Sequence, residues 1–223
     1  MGALPYKTNG NFIKTGALPA KRNFTSCVMR RSSLFVIKEH DYLRKLNFYY
    51  IDLKYIRDLS NADDNVMSIS PQRGKENRPF VGVVVLLNGR HYCIPLTSPK
   101  PKFQNKKSQV DFIKIFDDSK KNEDGTSKLI GVLNINNMIP VIDSVIQKVD
   151  LTIHKNDAVE IKNHKELMQK QLKWCRDHAD TIENRANKVY DLVTNKPDKN
   201  RNLVKRSSKF AELEKIADKF LKK

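Results

Sequence analysis

Between positions 79 and 96 the chain reads PFVGVVVLL, then Asn88-Gly89, then RHYCIPL. Two runs rich in β-branched and aromatic residues joined by Asn-Gly specify a β-hairpin. A type I′ turn needs positive φ at its central positions, and asparagine and glycine supply it with least strain. NFYYI at 47–51, VDFIKIF at 110–116, KLIGVLNI at 128–135 and VIQKVDL at 145–151 are further strand-like runs. Together they predict about six strands between residues 47 and 151. DLKYIRDL at 52–59 carries Leu53, Ile56 and Leu59 at helical spacing, and 60–78 is a long polar loop.

Beyond His164 the period changes. Met168, Leu172, Cys175, Ala179, Ile182, Ala186, Val189 and Val193 step by four and three, which puts all eight on one stripe of a long helix. The stripe reads as the face packed on the sheet, with a free coiled-coil dimer as the alternative. Pro197 breaks the helix, and a short terminal helix follows with Phe210, Leu213, Ala217 and Phe220 on one face. A sheet followed by helices predicts a single α+β domain over residues 47–223.

Charge points to the partner. The 223 residues hold 42 Lys and Arg against 25 Asp and Glu, a formal charge of +17. Such a field favours a polyanion, meaning nucleic acid or an anionic membrane face. No apolar run reaches the ~18 residues of a spanning helix. Cys27, Cys93 and Cys175 are odd in number and far apart, so they read as reduced, cytoplasmic thiols rather than a disulfide frame or zinc site. The five histidines show no ligand spacing, and there is no glycine-rich phosphate loop. The expectation is therefore no metal and no cofactor.

Residues 1–46 differ in texture. They carry nine basic and two acidic residues, with no acidic residue before Glu39, and the tetrapeptide GALP at 2–5 recurs at 16–19. A mostly disordered basic extension is expected. The acid-poor start also resembles a mitochondrial transit peptide. A different origin is that translation starts internally, near Met29 or Leu46, and that the preceding codons belong to upstream repeat DNA. A genuine arm gripping RNA is the other reading.

The hairpin runs into TSPKPKF, where Pro95, Pro99 and Pro101 fall around Thr97, Ser98 and Lys100. Each proline restricts the residue before it, which lowers the ordering cost when a ligand arrives. Two hydroxyls and an ammonium on a stiff turn are equipment for holding a phosphate as charge builds on its oxygens. An exposed basic turn accounts for the same residues.

Four segments decide between these. NFYYIDLKYIRDL, RPFVGVVVLLNGRHYCIPLTSPK, GVLNINNMIPVID and LMQKQLKWCRDHADTI occur in that order. The series, over roughly residues 47–195, resembles the ToxN/AbiQ family of endoribonuclease toxins from type III toxin–antitoxin systems. The resemblance implies a compact, strongly twisted antiparallel sheet of the Kid/MazF type with a long C-terminal helix and further helices. It implies metal-independent cleavage of mRNA and of the toxin's own RNA antitoxin precursor, leaving a 2′,3′-cyclic phosphate. The RNA antitoxin, a pseudoknot repeat, would close with the toxin into a ring of three proteins and three RNAs. Roles in phage defence by abortive infection, or in plasmid maintenance, go with it.

By matching motifs, Thr97, Ser98 and Lys100 are the phosphate-facing cluster, and Tyr55 of LKYI matches an active-site tyrosine. Where some relatives carry a lysine before the FVG strand this chain has Arg78. Arginine does not serve as a neutral base, so Arg78 is assigned to phosphate clamping and proton transfer to Lys100 or Tyr55. Arg90, Lys102, Lys106 and Lys107 are taken as contacts to the RNA backbone. A core-edge role for Tyr55 and a solvated loop end for Arg78 stay open. His91 reads as an ordinary strand histidine rather than a base. Lys199, Arg201, Lys205, Arg206 and Lys209 are RNA-facing charge or a solvated tail. A non-catalytic basic RNA-binding protein, or a basic structural protein dimerising through the long helix, are the other classes this composition allows.

Overall fold

The hairpin forms where Asn88-Gly89 places it. In the computed structural model, which describes residues 46–67, 80–104, 106–107 and 109–222 apart from the side chains of Phe80, Lys102 and Gln104, β2 (Phe80–Leu87) pairs antiparallel with β3 (Arg90–Thr97). Asn88 and Gly89 take φ of 49° and 77°, the turn geometry their side chains favour. All described residues belong to one unit, 41–223. The N-terminal extension and its repeat lie outside the described residues.

β1 (Phe48–Ile51) pairs with the outer edge of β2, and β7 (Ile146–Lys148) with β1. The other edge of β3 is paired in two instalments. β6 (Ile139–Val141) lies against His91–Cys93, and β5 (Ser127–Asn134) against Leu96 and Thr97. A 3₁₀ turn, Ile135–Asn137, takes up the extra residues between them, and Pro95 falls in that gap. β4 (Phe112–Lys121) completes the edge by pairing with β5 through two irregularities of register. Every pairing is antiparallel, in the order β4-β5-β3-β2-β1-β7 with β6 beside β3. Gly82 has a specific duty: a Cβ there would collide with Cys93 Sγ and the Ile94 carbonyl, so only glycine lets β2 lie this close to β3.

Among the described residues are six α-helices. Asp52 caps α1 (Leu53–Ala62) by accepting the Tyr55 N–H at 2.9 Å. Its buried face is Tyr55, Ile56 and Leu59, whereas Leu53, expected on that face, is exposed. The short α2 (Pro101–Gln104) opens on a proline, which the first helical position tolerates.

The expected single long helix is two helices, α3 (Val159–Asp177) and α4 (Ala179–Thr194). His178 leaves helical geometry at φ −120° and ψ 25°. Its N–H is shared between the carbonyls of Trp174 and Cys175, and its ring stacks on Trp174 at 3.9 Å. The eight-residue stripe nevertheless faces the sheet throughout. α5 (Arg201–Lys205) and α6 (Phe210–Leu221) follow, with Phe210, Leu213 and Ala217 of α6 buried.

These elements make two cores and a satellite. Val83, Val85, Leu87, Tyr92, Ile94, Ile113, Ile115 and Leu133 point to the face covered by α3 and α4. Val84, Cys93, Ile139 and Val141 point the other way, under α1 and α6. On that second side, at the β4–β5 end, Phe103, Phe112 and Val132 form a small cluster of their own. Among the described residues no helix is long and apolar enough to cross a membrane.

Candidate active site

Thr97 ends β3 directly opposite Val132 of β5. Its hydroxyl donates to the Val132 carbonyl at 3.3 Å and accepts from Asn134 Nδ2 at 3.3 Å. Ser98, Pro99 and Lys100 then leave the sheet and are exposed. The Phe103 N–H donates to the Lys100 carbonyl at 2.9 Å, which turns the chain into α2. Phe103 is buried against Phe112, ring centroids 5.2 Å apart, with Val132 beneath. The turn is thus fastened at one end by the β-ladder and at the other by an aromatic plug. Two prolines stiffen what lies between.

Thr97, Ser98 and Lys100 are therefore brought together on one short turn, and the exposed Lys106 and Lys107 follow just beyond the plug. Arg78 and the side chain of Lys102 fall outside the described residues. A lysine that the sequence pattern did not single out joins this face. Lys114 of β4 stands opposite Val132 from the other side, so Thr97, Val132 and Lys114 form one row across three strands. Residues directly opposite in antiparallel strands point to the same face. The neighbours Ile113, Ile115 and Leu133 point to the α3–α4 core, so Thr97 and Lys114 share the opposite side. Lys114 is only 9% exposed. In VDFIKIF it looks like the polar half of a strand alternation; only strand pairing reveals its place. Asn134 was missed for the same reason, its partner being 37 residues away in sequence.

Tyr55 and Arg90 do not join the cluster. Tyr55 is fully buried, its hydroxyl donates to the Pro140 carbonyl at 2.8 Å, and its ring meets Phe220 edge-on at 5.0 Å. Burial, helped by the Asp218 charge, pushes its phenol well above the ordinary tyrosine range. Pro140 lies opposite Tyr92, five residues up β3 from Thr97, which is roughly 16 Å along the strand. A phenol so placed packs in the core, apart from the Thr97 turn. Arg90 begins β3, roughly 23 Å from Thr97 by the same measure. Its guanidinium grips Asp218 with two hydrogen bonds of 2.5 and 3.1 Å, which fasten the hairpin tip to α6 and raise its pKa. His91, half-buried beside it, lies 3.6 Å from Asp143.

The C-terminal basic residues divide. All five are exposed, but Arg206 donates to Asp111 at 2.6 Å and Lys209 lies 3.5 Å from Glu212.

This sequence and fold have known relatives. A family model described as toxin ToxN, type III toxin–antitoxin system, matches residues 47–218. Endoribonuclease ToxN from Bacillus thuringiensis subsp. kurstaki is 35% identical over 147 residues, 66% of this chain and 68% of that protein. A solved structure of AbiQ, a lactococcal anti-phage endoribonuclease of the type III toxin–antitoxin system, superposes with a TM-score of 0.65 at 28% identity, covering 80% of this chain and 99% of that one. A structure from work on selective toxin inhibition by a non-coding RNA pseudoknot matches with a TM-score of 0.62 at 28% identity and the same coverage. The chain belongs to the ToxN toxin family of type III toxin–antitoxin systems.

Proposed function

We propose that this chain is an endoribonuclease toxin that cuts RNA by attack of the substrate's own 2′-hydroxyl. The observation that carries the reading is the pinned turn that presents Thr97, Ser98 and Lys100 together, with Lys114 on the same side of the sheet. The 2′-oxygen bonds to phosphorus, the bond to the leaving 5′-oxygen breaks, and a 2′,3′-cyclic phosphate remains. The proton lost from the 2′-hydroxyl and the proton gained by the 5′-oxygen are the only others to move. Hydroxyls and ammonium groups stabilise the phosphorane's charge, and the reaction calls for no metal-bound water. Lys100 is the group on this turn assigned to proton transfer, a role that lysine fills in general acid–base catalysis and arginine does not.

The substrates are cellular mRNA and the precursor of an RNA antitoxin. The antitoxin is a pseudoknot-forming repeat that covers this turn and, with the toxin, closes a ring of three proteins and three RNAs. Inhibition of a related toxin by a non-coding RNA pseudoknot supports the partner, and the formal charge of +17 suits it. Defence against phage is the role that likeness to AbiQ supports.

The test is cleavage of RNA by purified protein in EDTA, with Lys100→Ala and Thr97→Ala beside it. Cleavage should persist without metal, leave a cyclic phosphate and stop when a 2′-deoxy nucleotide sits at the cut. Each variant should lose on the order of 10²–10³ in rate. A Mg²⁺ requirement, a 5′-phosphate product, or full activity in Lys100→Ala would overturn the mechanism. Binding without cleavage would favour a non-catalytic RNA-binding protein.

A further inference from the structure

A threonine hydroxyl has one proton to donate and two lone pairs to offer. In Thr97 the proton is aimed at the Val132 carbonyl, and one lone pair receives an N–H of Asn134, each at 3.3 Å. With that proton committed to Val132, the amide nitrogen of Asn134, rather than its oxygen, makes the bond to Thr97. Both bonds are longer than the usual range, so they orient the hydroxyl without locking it.

Asn134 is built for this contact. It ends β5 opposite Phe112 and leads into the Ile135–Asn137 turn, yet its side chain makes no capping bond to that turn. The turn itself is held from several sides. Asn136 N–H donates to the Asp111 carbonyl at 3.1 Å and Asn136 Nδ2 to the Arg206 carbonyl at 2.5 Å. Ser208 N–H donates to the Asn136 carbonyl at 2.8 Å, and Asn137 Nδ2 to the Asn65 carbonyl at 2.7 Å. The backbone of Asn134 is therefore anchored while its carboxamide reaches across to β3.

We infer that Asn134 is a positioning residue that acts through Thr97. Donation into Thr97 Oγ1 holds the oxygen in place and makes its own O–H a stronger donor, as hydrogen bonds in a chain reinforce one another. When a scissile phosphate arrives, the Thr97 proton turns from the Val132 carbonyl to a phosphate oxygen, and the Asn134 bond stays. The proton remains on Thr97 throughout. This inference rests on the proposed role of Thr97 at the phosphate.

A double-mutant cycle under single-turnover conditions tests it, with a labelled RNA and its 2′-deoxy analogue. Asn134→Ala should slow cleavage about tenfold, the worth of one neutral hydrogen bond realised in the transition state. In a Thr97→Ala background the same change should alter the rate by less than about twofold, because the two act as a unit. In a Thr97→Ser background, which keeps the hydroxyl, the tenfold loss should persist. Asn134→Asp, which accepts where asparagine donates, should cost about 10²–10³. Affinity for the 2′-deoxy RNA and the melting temperature should stay near wild type. A wild-type rate in Asn134→Ala, equal losses in the wild-type and Thr97→Ala backgrounds, or no loss in the Thr97→Ser background would overturn the inference while leaving the proposed function standing. Wild-type protein that cuts no RNA, or Thr97→Ala at full rate, would remove both.

Discussion

Phe103 and Phe112 meet with ring centroids 5.2 Å apart and planes inclined by 56°, and this contact fastens the site-bearing turn to β4. Phe103 is the first aromatic side chain after Lys100, three residues on, so the grip acts close to the reacting groups. Phe103→Ala should lower stability by about 3 kcal/mol, the low end for truncation of a buried aromatic, since the cluster is small. Single-turnover cleavage should fall further than RNA affinity, because a loosened turn no longer holds its groups in a productive pose. Urea unfolding alongside rate and binding measurements checks this; an unaltered rate would mean that the turn is held elsewhere.

Lys114 and Thr97 flank Val132 in one row. Lys114→Met keeps the stem and removes the charge. The rate should fall on the order of 10². Stability should change by about 1.5 kcal/mol or less, since methionine keeps the packing of the stem. Loss of stability and rate together would show instead that Lys114 serves the fold.

Tyr55 gives the opposite expectation. Tyr55→Phe removes the bond to the Pro140 carbonyl and nothing on the turn. Stability should drop by about 1 kcal/mol, with the cleavage rate unchanged. A large rate loss in a stable Tyr55→Phe protein would return the phenol to the reaction.

Asp117 joins β4 to α3 through Lys170 at 2.8 Å and accepts from Ser119 Oγ and N–H. Lys170 first, then Ser119, pull its carboxyl down to about 2. Its unfolded value is about 3.9. A folded value below the unfolded one stabilises the protein above about pH 4, and that contribution is lost as pH falls towards 2. Asp117→Asn should therefore flatten the decline in melting temperature between pH 4 and pH 2. Parallel curves for the two proteins would show that Asp117 titrates alike in both states.

What the sequence made legible was local. Asn88-Gly89 marks the hairpin, the four-three stripe marks the buried face of α3 and α4, and the prolines mark the turn after Thr97. Each is visible because neighbouring residues carry the whole signal. The break at His178 has no proline or glycine to announce it, and the stripe runs through it undisturbed. β6 is three residues long with Pro140 at its centre, too short for a period to register. Residue type suggested that Arg90 was free charge, and the motif match made Tyr55 an active-site phenol. Their partners, Asp218 and Pro140, lie 128 and 85 residues away. Lys114 and Asn134 were hidden for the same reason: strand register, not strand composition, brings them to Thr97.

The Phe103, Phe112 and Val132 cluster stands apart from both larger cores. A region with its own small core opens at its own free energy, below that of global unfolding. The turn that bears Thr97, Ser98 and Lys100 can therefore loosen before either larger core gives way. How firmly the site is held then becomes a property of the ring at position 103, a residue that need touch no phosphate to set the pace of the turn.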